Sequence, residues 1–158
     1  MARIKDQRAV PIVLIAIAVL LIGARITSQV MKPAVQSSSR VQWIDIRQAE
    51  QIVRSSDKLV MLNFTAEWCA PCRVLDAQIF HDPRYATTIN DRFIPVEVLD
   101  RQREEGTNAP NVSFLQKRYN VQGFPTLVFI DANGNERARM EGFRGRAEFD
   151  RVMESALR

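Results

Sequence analysis

The sequence predicts an α/β domain in which a mixed central sheet is flanked by helices. Residues 59–64 are nearly all apolar, as expected of a central strand that is covered on both faces. A helix-forming stretch follows this strand candidate, and a further strand candidate comes after it, which favours a parallel pairing through a crossover. Residues 131–134, Asp-Ala-Asn-Gly, are a hairpin signal between two later strand candidates. The two kinds of connection together indicate a sheet with both parallel and antiparallel pairs.

The remaining elements follow from local patterns. Asp82 before Pro83 is typical of a helix start, because aspartate caps free N–H groups and proline fits the first turn. The arginines of 136–141 suit an edge strand, where exposed charges discourage association with other sheets. The last helix is expected to turn Phe149 and Leu157, with other apolar residues, toward the sheet. In chain order we predict strand 41–46, helix 47–55, strand 59–64, helix 70–80, helix 83–90, strand 94–98, loop 101–111, helix 112–119, strand 126–130, strand 136–141 and helix 146–157.

Charge is distributed unevenly along the 158 residues. The net charge is +4, from 22 basic and 18 acidic residues. Residues 1–40 hold six basic residues and one acid, which leaves 16 basic and 17 acidic residues, a net charge of −1, in 41–158. Basic character therefore belongs to the N-terminal segment, and nucleic-acid binding by the rest of the chain is poorly supported.

The first residues have the pattern of a membrane anchor. Three basic residues in 1–8 precede an uncharged run at 9–24. As a helix this run spans roughly 24 Å, against a hydrocarbon core of about 30 Å, so we expect Arg25 to snorkel and the span to extend to residue 31. A cleaved signal peptide is the alternative, although Ile-Gly-Ala at 22–24 is a poor cleavage site.

These patterns divide the chain into four parts. Residues 1–8 are predicted to be a cytoplasmic basic segment and 9–31 a single inner-membrane span, because positive charge stays inside. Residues 32–40, with one proline and three consecutive serines, are predicted to be a linker. Residues 41–158 are predicted to be the globular domain, placed in the periplasm. Cleavage of the signal would instead give a soluble periplasmic protein.

The sequence contains two cysteines, Cys69 and Cys72, in a C-x-x-C pattern. A structural zinc site normally needs four cysteine or histidine ligands, and His81 is the single histidine. A purely structural disulfide across two residues would close a very short loop and constrain the unfolded chain little. A reversible dithiol/disulfide pair is the interpretation that we favour over these two alternatives.

The position of the pair predicts how it would react. Cys69 follows a strand candidate and precedes a helix candidate, so it would lie at a helix N-terminus, where free N–H groups stabilise a thiolate. Pro71 suits the first helical turn. Since the thiolate is the nucleophile, we expect Cys69 to be the exposed, attacking thiol and Cys72 the shielded, resolving one.

Two motifs resemble the thioredoxin superfamily. Residues 64–72, Phe-Thr-Ala-Glu-Trp-Cys-Ala-Pro-Cys, resemble its active-site strand and helix, and Phe124-Pro125-Thr126 resembles its cis-proline loop roughly fifty residues later. The resemblance covers about 41–158. Residues 80–83 and 93–96 are most similar to membrane-linked periplasmic members of the DsbD C-terminal-domain type. The resemblance implies a thioredoxin fold and thiol–disulfide exchange without an organic cofactor, the redox group being a Cys69–Cys72 disulfide.

Two polar residues bear on proton transfer. Asp76 lies four residues after Cys72, hence one helical turn on and on the same face, where a partly desolvated carboxylate could accept the thiol proton. DsbD-type domains carry an acid at the matching position, but an ordinary solvated charge is the alternative. Asn63 departs from the family, since many thioredoxins have a buried aspartate there. Because Asn63 cannot titrate, the proton must go to Asp76 or to water, if it is transferred at all.

Residues around the pair are candidates for binding a partner. Trp68 either shapes the partner surface or is a simple core aromatic. The backbone beside Phe124 and Pro125 is expected to approach Cys69 and to pair with an extended substrate segment. Glu67 and His81 are predicted to be non-catalytic surface and loop residues.

The prediction from sequence is a membrane-anchored protein thiol–disulfide oxidoreductase that reduces disulfides of partner proteins. A mixed disulfide is the expected intermediate, and the lack of further cysteines requires an external electron donor, which we expect to be a membrane thiol reductase. The alternatives are a dithiol oxidase or isomerase and a non-catalytic adaptor that binds partners through the same fold.

Overall fold

The computed structural model describes residues 40–158, which form a four-stranded sheet with helices on both faces. The predicted segments 1–8, 9–31 and 32–39 lie outside the described residues. Within 40–158, no helix is long and apolar enough to cross a membrane. The elements in order are α1 Ile46–Val53, β1 Leu59–Ala66, α2 Ala70–Leu75, a π-helical turn Asp76–Phe80, α3 Pro83–Arg92, β2 Phe93–Asp100, α4 Gln102–Glu105, α5 Pro110–Arg118, β3 Thr126–Ile130, β4 Glu136–Glu141 and α6 Arg146–Ala156.

The sheet is mixed, as predicted, with strand order β2-β1-β3-β4. β1 pairs with β2 in parallel and with β3 antiparallel, and β3 pairs with β4 antiparallel. β4 is an edge strand, as its charges indicated. Asp131 builds the hairpin turn before it, since its carboxylate accepts the N–H groups of Asn133 and Asn135 at 2.9 Å each.

Each face of the sheet carries an apolar core. Alternate residues of a strand point to opposite faces, so the central strand β1 contributes to both. One core lies under α2, the π-helical turn, α3 and α6, and includes Met61, Leu75, Ile79, Phe93 and Phe149. The other lies under α1 and α5 and includes Leu62, Phe64, Val96, Val128 and Tyr119.

The strand predicted at 41–46 does not form. The segment makes a single bridge, between Ile44 and Val96. Asp45 instead caps α1, because its carboxylate accepts the N–H of Arg47 at 2.8 Å and the side chain of Gln48 reaches back to the N–H of Asp45. This capping box starts the helix where the strand was expected to end.

Two further expectations need correction. The predicted loop 101–111 contains the short helix α4, and buried Asp100 anchors it by accepting the side-chain amides of Asn108 at 2.5 Å and Gln116 at 2.7 Å. Leu157 does not face the sheet, because α6 ends at Ala156, which is buried in its place.

Candidate active site

The cysteine pair lies where β1 ends and α2 begins. Cys69 is the N-cap of α2, as predicted, and its Sγ accepts the backbone N–H of Cys72 at 3.1 Å. Pro71 occupies the first turn of the helix. The two cysteines form a disulfide with a Cα–Cα distance of 5.3 Å. The backbone therefore holds both sulfurs together and directs N–H groups of the first helical turn at Cys69.

Both sulfurs are sheltered in this disulfide form. Cys69 is 2% exposed and Cys72 is 7% exposed, so the expectation of an exposed Cys69 is wrong for the oxidised protein. Phe124 explains the difference, because it packs against the cluster that Ala66 forms with the two cysteines. The sequence predicted that Phe124 lies near the pair but not that its side chain packs against both cysteines.

The loop at Phe124 approaches the pair as expected, and the Phe124–Pro125 peptide is cis. The carbonyl of Pro125 accepts the N–H of Gly142 at 2.8 Å, which ties the loop to the segment after β4. Within residues 40–158, neither the N–H nor the C=O of Phe124 has a hydrogen-bond partner. These two backbone groups are therefore available beside the disulfide.

Trp68 is a surface residue and not a core aromatic. It is 45% exposed, and its ring meets that of Phe124 edge-on at a centroid distance of 5.9 Å. The guanidinium of Arg103 lies 5.4 Å from the centroid of the Trp68 ring. Such a cation–π contact contributes about 0.5–1 kcal/mol at an exposed site. Trp68, Phe124 and Arg103 thus form one aromatic and cationic rim around the disulfide.

Charged residues next to this rim are held together by ion pairs and a hydrogen bond. Arg101 binds the carboxylate of Glu67 at 3.0 Å and that of Glu105 at 3.2 Å, and Arg73 donates to the carbonyl of Glu67 at 3.0 Å. Glu67 is exposed, as predicted. Arg101 and Arg103 were missed, because in the sequence they look like solvated loop charges. Their contacts depend on the conformation of α4, for which the sequence has no local signal.

Asp76 begins the π-helical turn one turn after Cys72. Its carbonyl accepts the N–H of His81 at 3.0 Å, the five-residue spacing of a π-helix. Nδ1 of His81 lies 2.9 Å from the same carbonyl and 3.4 Å from Oδ2 of Asp76. The Asp76 side chain is 40% exposed. Its partial burial raises the pKa of the carboxyl above its ordinary value, and His81 opposes that shift.

Asn63 and Glu97 are polar residues on the neighbouring strands β1 and β2. Asn63 is buried, and its Oδ1 has no hydrogen-bond partner in the part of the chain that the structure describes. Glu97 on β2 is its neighbour in the parallel register. Although Glu97 is exposed as a residue, desolvation of its carboxyl raises the pKa, and the negative charge of Asp76 raises it further. Glu97 was missed because its nearness to Asn63 depends on strand register.

Comparison with known proteins identifies the family to which this domain belongs. The family model of the thioredoxin-like domain matches residues 46–157. The thiol:disulfide interchange protein DsbD of Salmonella paratyphi A is 30% identical over 154 residues, which cover 94% of this chain and 26% of that protein. The chain thus spans about a quarter of the length of this curated relative.

Solved structures agree with the family match. The DsbH oxidoreductase superposes with a TM-score of 0.65 and 27% identity, covering 80% of this chain and 92% of that one. The oxidised C-terminal domain of Neisseria meningitidis DsbD superposes with a TM-score of 0.55 over 70% of this chain and 90% of that one, and at 23% identity it shows the shared fold. The chain therefore belongs to the thioredoxin-like domain family, with homology to DsbD and with the fold and cysteine pair of a thiol–disulfide oxidoreductase.

Proposed function

We propose that the domain reduces disulfides of partner proteins, with Cys69 as the attacking thiolate and Cys72 as the resolving thiol. The observation that carries this proposal is the Cys69–Cys72 disulfide at the start of α2, under the rim of Trp68 and Phe124. The N–H of Cys72, which already donates to Sγ of Cys69, would stabilise a thiolate there.

The exchange takes place in two steps. The thiolate of Cys69 attacks one sulfur of the partner's disulfide, that S–S bond breaks, and the other partner sulfur leaves as a thiolate. A mixed disulfide now joins Cys69 to the partner. Cys72 then attacks Sγ of Cys69, the second partner sulfur leaves, and the Cys69–Cys72 disulfide forms. The partner has gained two electrons, and the oxidised domain corresponds to the disulfide form described above.

The rim offers a way to hold the partner during this exchange. Because the N–H and C=O of Phe124 have no partner among residues 40–158, an extended partner segment can add to them as a short strand. The exposed Trp68 ring lies next to that path and can cover apolar side chains of the partner. Since the disulfide form is covered by Phe124, reduction of this disulfide by the electron donor requires Phe124 to move aside.

We further propose that residues 9–31 anchor the protein in the inner membrane and that the domain works in the periplasm. The homology to DsbD, named a thiol:disulfide interchange protein, supports partners that exchange disulfides. The electron donor would be a membrane thiol reductase, and the cysteine pair itself stores the two electrons, so no organic cofactor is required.

The proposed membrane topology is tested with reporter fusions. Reporter fusions after Arg158 should be active with a periplasmic reporter only, and activity of a cytoplasmic reporter would refute a periplasmic domain.

The direction of electron flow is tested with the purified protein. We expect it to accelerate reduction of insulin disulfides by dithiothreitol, and we expect Cys72→Ser to accumulate a mixed disulfide that mass spectrometry can identify. Faster oxidation of a dithiol substrate than reduction of insulin would favour an oxidase or isomerase. A protein that binds partners while neither reaction is accelerated would be an adaptor.

A further inference from the structure

Asn63 and Glu97 lie side by side on the sheet face that carries α2 and the π-helical turn. The two residues are partners in the parallel β1/β2 register, and neighbouring strands are about 4.8 Å apart. Met61 and Phe93, two and four residues earlier on the same strands, belong to the core under those helices. Since every second residue of a strand shares a face, Asn63 and Glu97 continue that face toward the cysteines.

Asp76 reaches the same place from the helical layer. Its neighbours Leu75 and Ile79 pack in the core that contains Met61 and Phe93, which fixes the π-helical turn above this face. Desolvation raises the pKa of the Glu97 carboxyl, and the negative charge of Asp76 raises it further. An amide from β1 and a carboxyl from β2 therefore lie on the sheet face under the turn that carries Asp76, one helical turn after Cys72.

The side-chain oxygen of Asn63 lacks a hydrogen-bond donor, which a neighbouring carboxyl can supply. Oδ1 of Asn63 is a buried acceptor with no hydrogen-bond donor among residues 40–158. An unpaired buried acceptor has lost its hydrogen bonds to water without replacement, so a donor there would be stabilising. An ionised carboxylate cannot donate, but a protonated carboxyl carries an O–H that can. Protonation of Glu97 beside it would satisfy that acceptor.

We propose that Glu97 and Asp76 act as a carboxyl pair that receives the proton of Cys72 during resolution, with Oδ1 of Asn63 accepting a hydrogen bond from the protonated pair. The acid that many family members hold at the Asn63 position is thus carried by the neighbouring strand in this chain. The inference rests on the proposed function and adds the proton acceptor to it. Glu97 acts on the thiol through Asp76 and is a positioning residue for the proton.

Resolution of the mixed disulfide moves one proton and one electron pair away from the S–H bond of Cys72. The S–H bond of Cys72 breaks, its proton passes to Asp76 and is retained by the pair, and the electron pair left on sulfur forms the new bond to Sγ of Cys69. The bond from Cys69 to the partner breaks, and the partner sulfur leaves as a thiolate. His81 is the basic group beside the pair, with Nδ1 3.4 Å from Oδ2 of Asp76, and the positive form of His81 would weaken the retention of the proton.

Removal of the Glu97 charge tests the proposal kinetically. In Glu97→Gln the repulsion that favours a shared proton is lost, so the acid-side inflection of the resolution rate should move to lower pH. The rate itself should fall about 3- to 10-fold, less than the 10²–10⁴-fold range of direct general acid–base catalysis, because Glu97 acts through Asp76. Glu97→Asp should restore the wild-type pH profile, and the exposed Glu154→Gln on α6 is the matched control. The first attack by Cys69 should be unchanged in all variants.

A titration that needs no turnover separates this inference from the proposed function. Carboxyl carbons of the reduced protein are followed by NMR against pH in wild type, Asp76→Asn and Glu97→Gln. We expect the Glu97 pKa to fall in Asp76→Asn and the pH at which Cys72 ionises to shift in Glu97→Gln. Independent titration of Asp76, Glu97 and Cys72 would overturn the carboxyl pair even if insulin is reduced. Coupled titration in a protein that reduces no disulfide would support the pair and refute the proposed function.

Discussion

The two sulfurs of the disulfide have different surroundings. On the side of Cys69 lie aromatic rings and a guanidinium, from Trp68, Phe124 and Arg103, which are suited to contact with another protein. On the side of Cys72 lies Asp76, one helical turn on, and its charge acts on Glu97 from the strand below; the pKa of each of these two carboxyls is raised. In the proposed function, partner contact therefore belongs to the sulfur of Cys69 and proton transfer to the sulfur of Cys72.

Removal of either sulfur should have the largest effect. Cys69→Ser removes the nucleophile, so reduction of insulin should fall at least about 10³-fold, the scale seen when a covalent nucleophile is lost. Cys72→Ser should abolish turnover equally but still form the mixed disulfide, because the first attack needs Cys69 alone. A mixed disulfide formed by Cys69→Ser and not by Cys72→Ser would show that the two sulfurs have been assigned in the wrong order.

Loss of the nearer carboxyl should affect the Cys72 side alone. Asp76→Asn removes the first proton acceptor, and resolution of the mixed disulfide should slow by up to about 10²-fold, the low end for general acid–base catalysis. Rapid-quench kinetics with a model disulfide, at about pH 6 to 9 around the usual thiol pKa near 8.5, separates the two steps. Asp91→Asn, an exposed acid on α3, is the control. A resolution rate equal to that of the control across this range would reduce Asp76 to a surface charge.

Loss of the exposed ring should affect the Cys69 side alone. Trp68→Ala removes an exposed ring that the proposed function places against the partner, and loss of a tryptophan from the centre of a protein interface costs more than about 1 kcal/mol. Attack on a protein disulfide should therefore slow by about 10-fold, while attack on a small disulfide changes little. Equal slowing with both substrates would mean that Trp68 supports the structure of the motif and not the partner.

The smallest effect is on stability. Because the pKa of Asp76 is raised in the folded protein, ionisation of Asp76 opposes folding, and this cost is present at neutral pH and lost as the pH falls through the raised pKa. Asp76→Asn should therefore unfold at a slightly higher temperature than wild type near pH 7, and the difference should vanish below the ordinary carboxyl range near pH 4. Thermal unfolding at several pH values measures it, and a variant less stable than wild type at neutral pH would contradict it.

Local sequence patterns predicted the structure of the C-x-x-C motif, whereas the residues around it are brought there by long-range contacts. Cys69, Pro71 and Cys72 carry their geometry in adjacent residues, so the N-cap and first turn followed from sequence. Glu97 becomes a neighbour of Asn63 only through the β1/β2 register, which no local pattern sets. The same holds for Arg103, whose stacking on Trp68 needs the helix α4 inside an expected loop.

The strands at 126–130 and 136–141 were predicted with the observed bounds, because a strong turn signal separates them. The prediction of a strand at 41–46 was wrong because the apolar pattern there is weak and the capping box of Asp45 begins a helix instead. The π-helical turn after Leu75 was also missed, since a helical pattern does not distinguish a four-residue from a five-residue hydrogen bond.

Alkylation of the two thiols tests the contrast most directly. The reduced protein is treated with a limiting alkylating reagent near neutral pH, and mass spectrometry measures the modification of Cys69 and Cys72 separately with time. Cys69 is the N-cap of α2, a position that stabilises a thiolate, and the proposed mechanism leaves the proton on Cys72 until Asp76 accepts it, so Cys69 should be modified far faster. Equal rates, or faster modification of Cys72, would contradict the assignment of attack to Cys69 and proton transfer to Cys72.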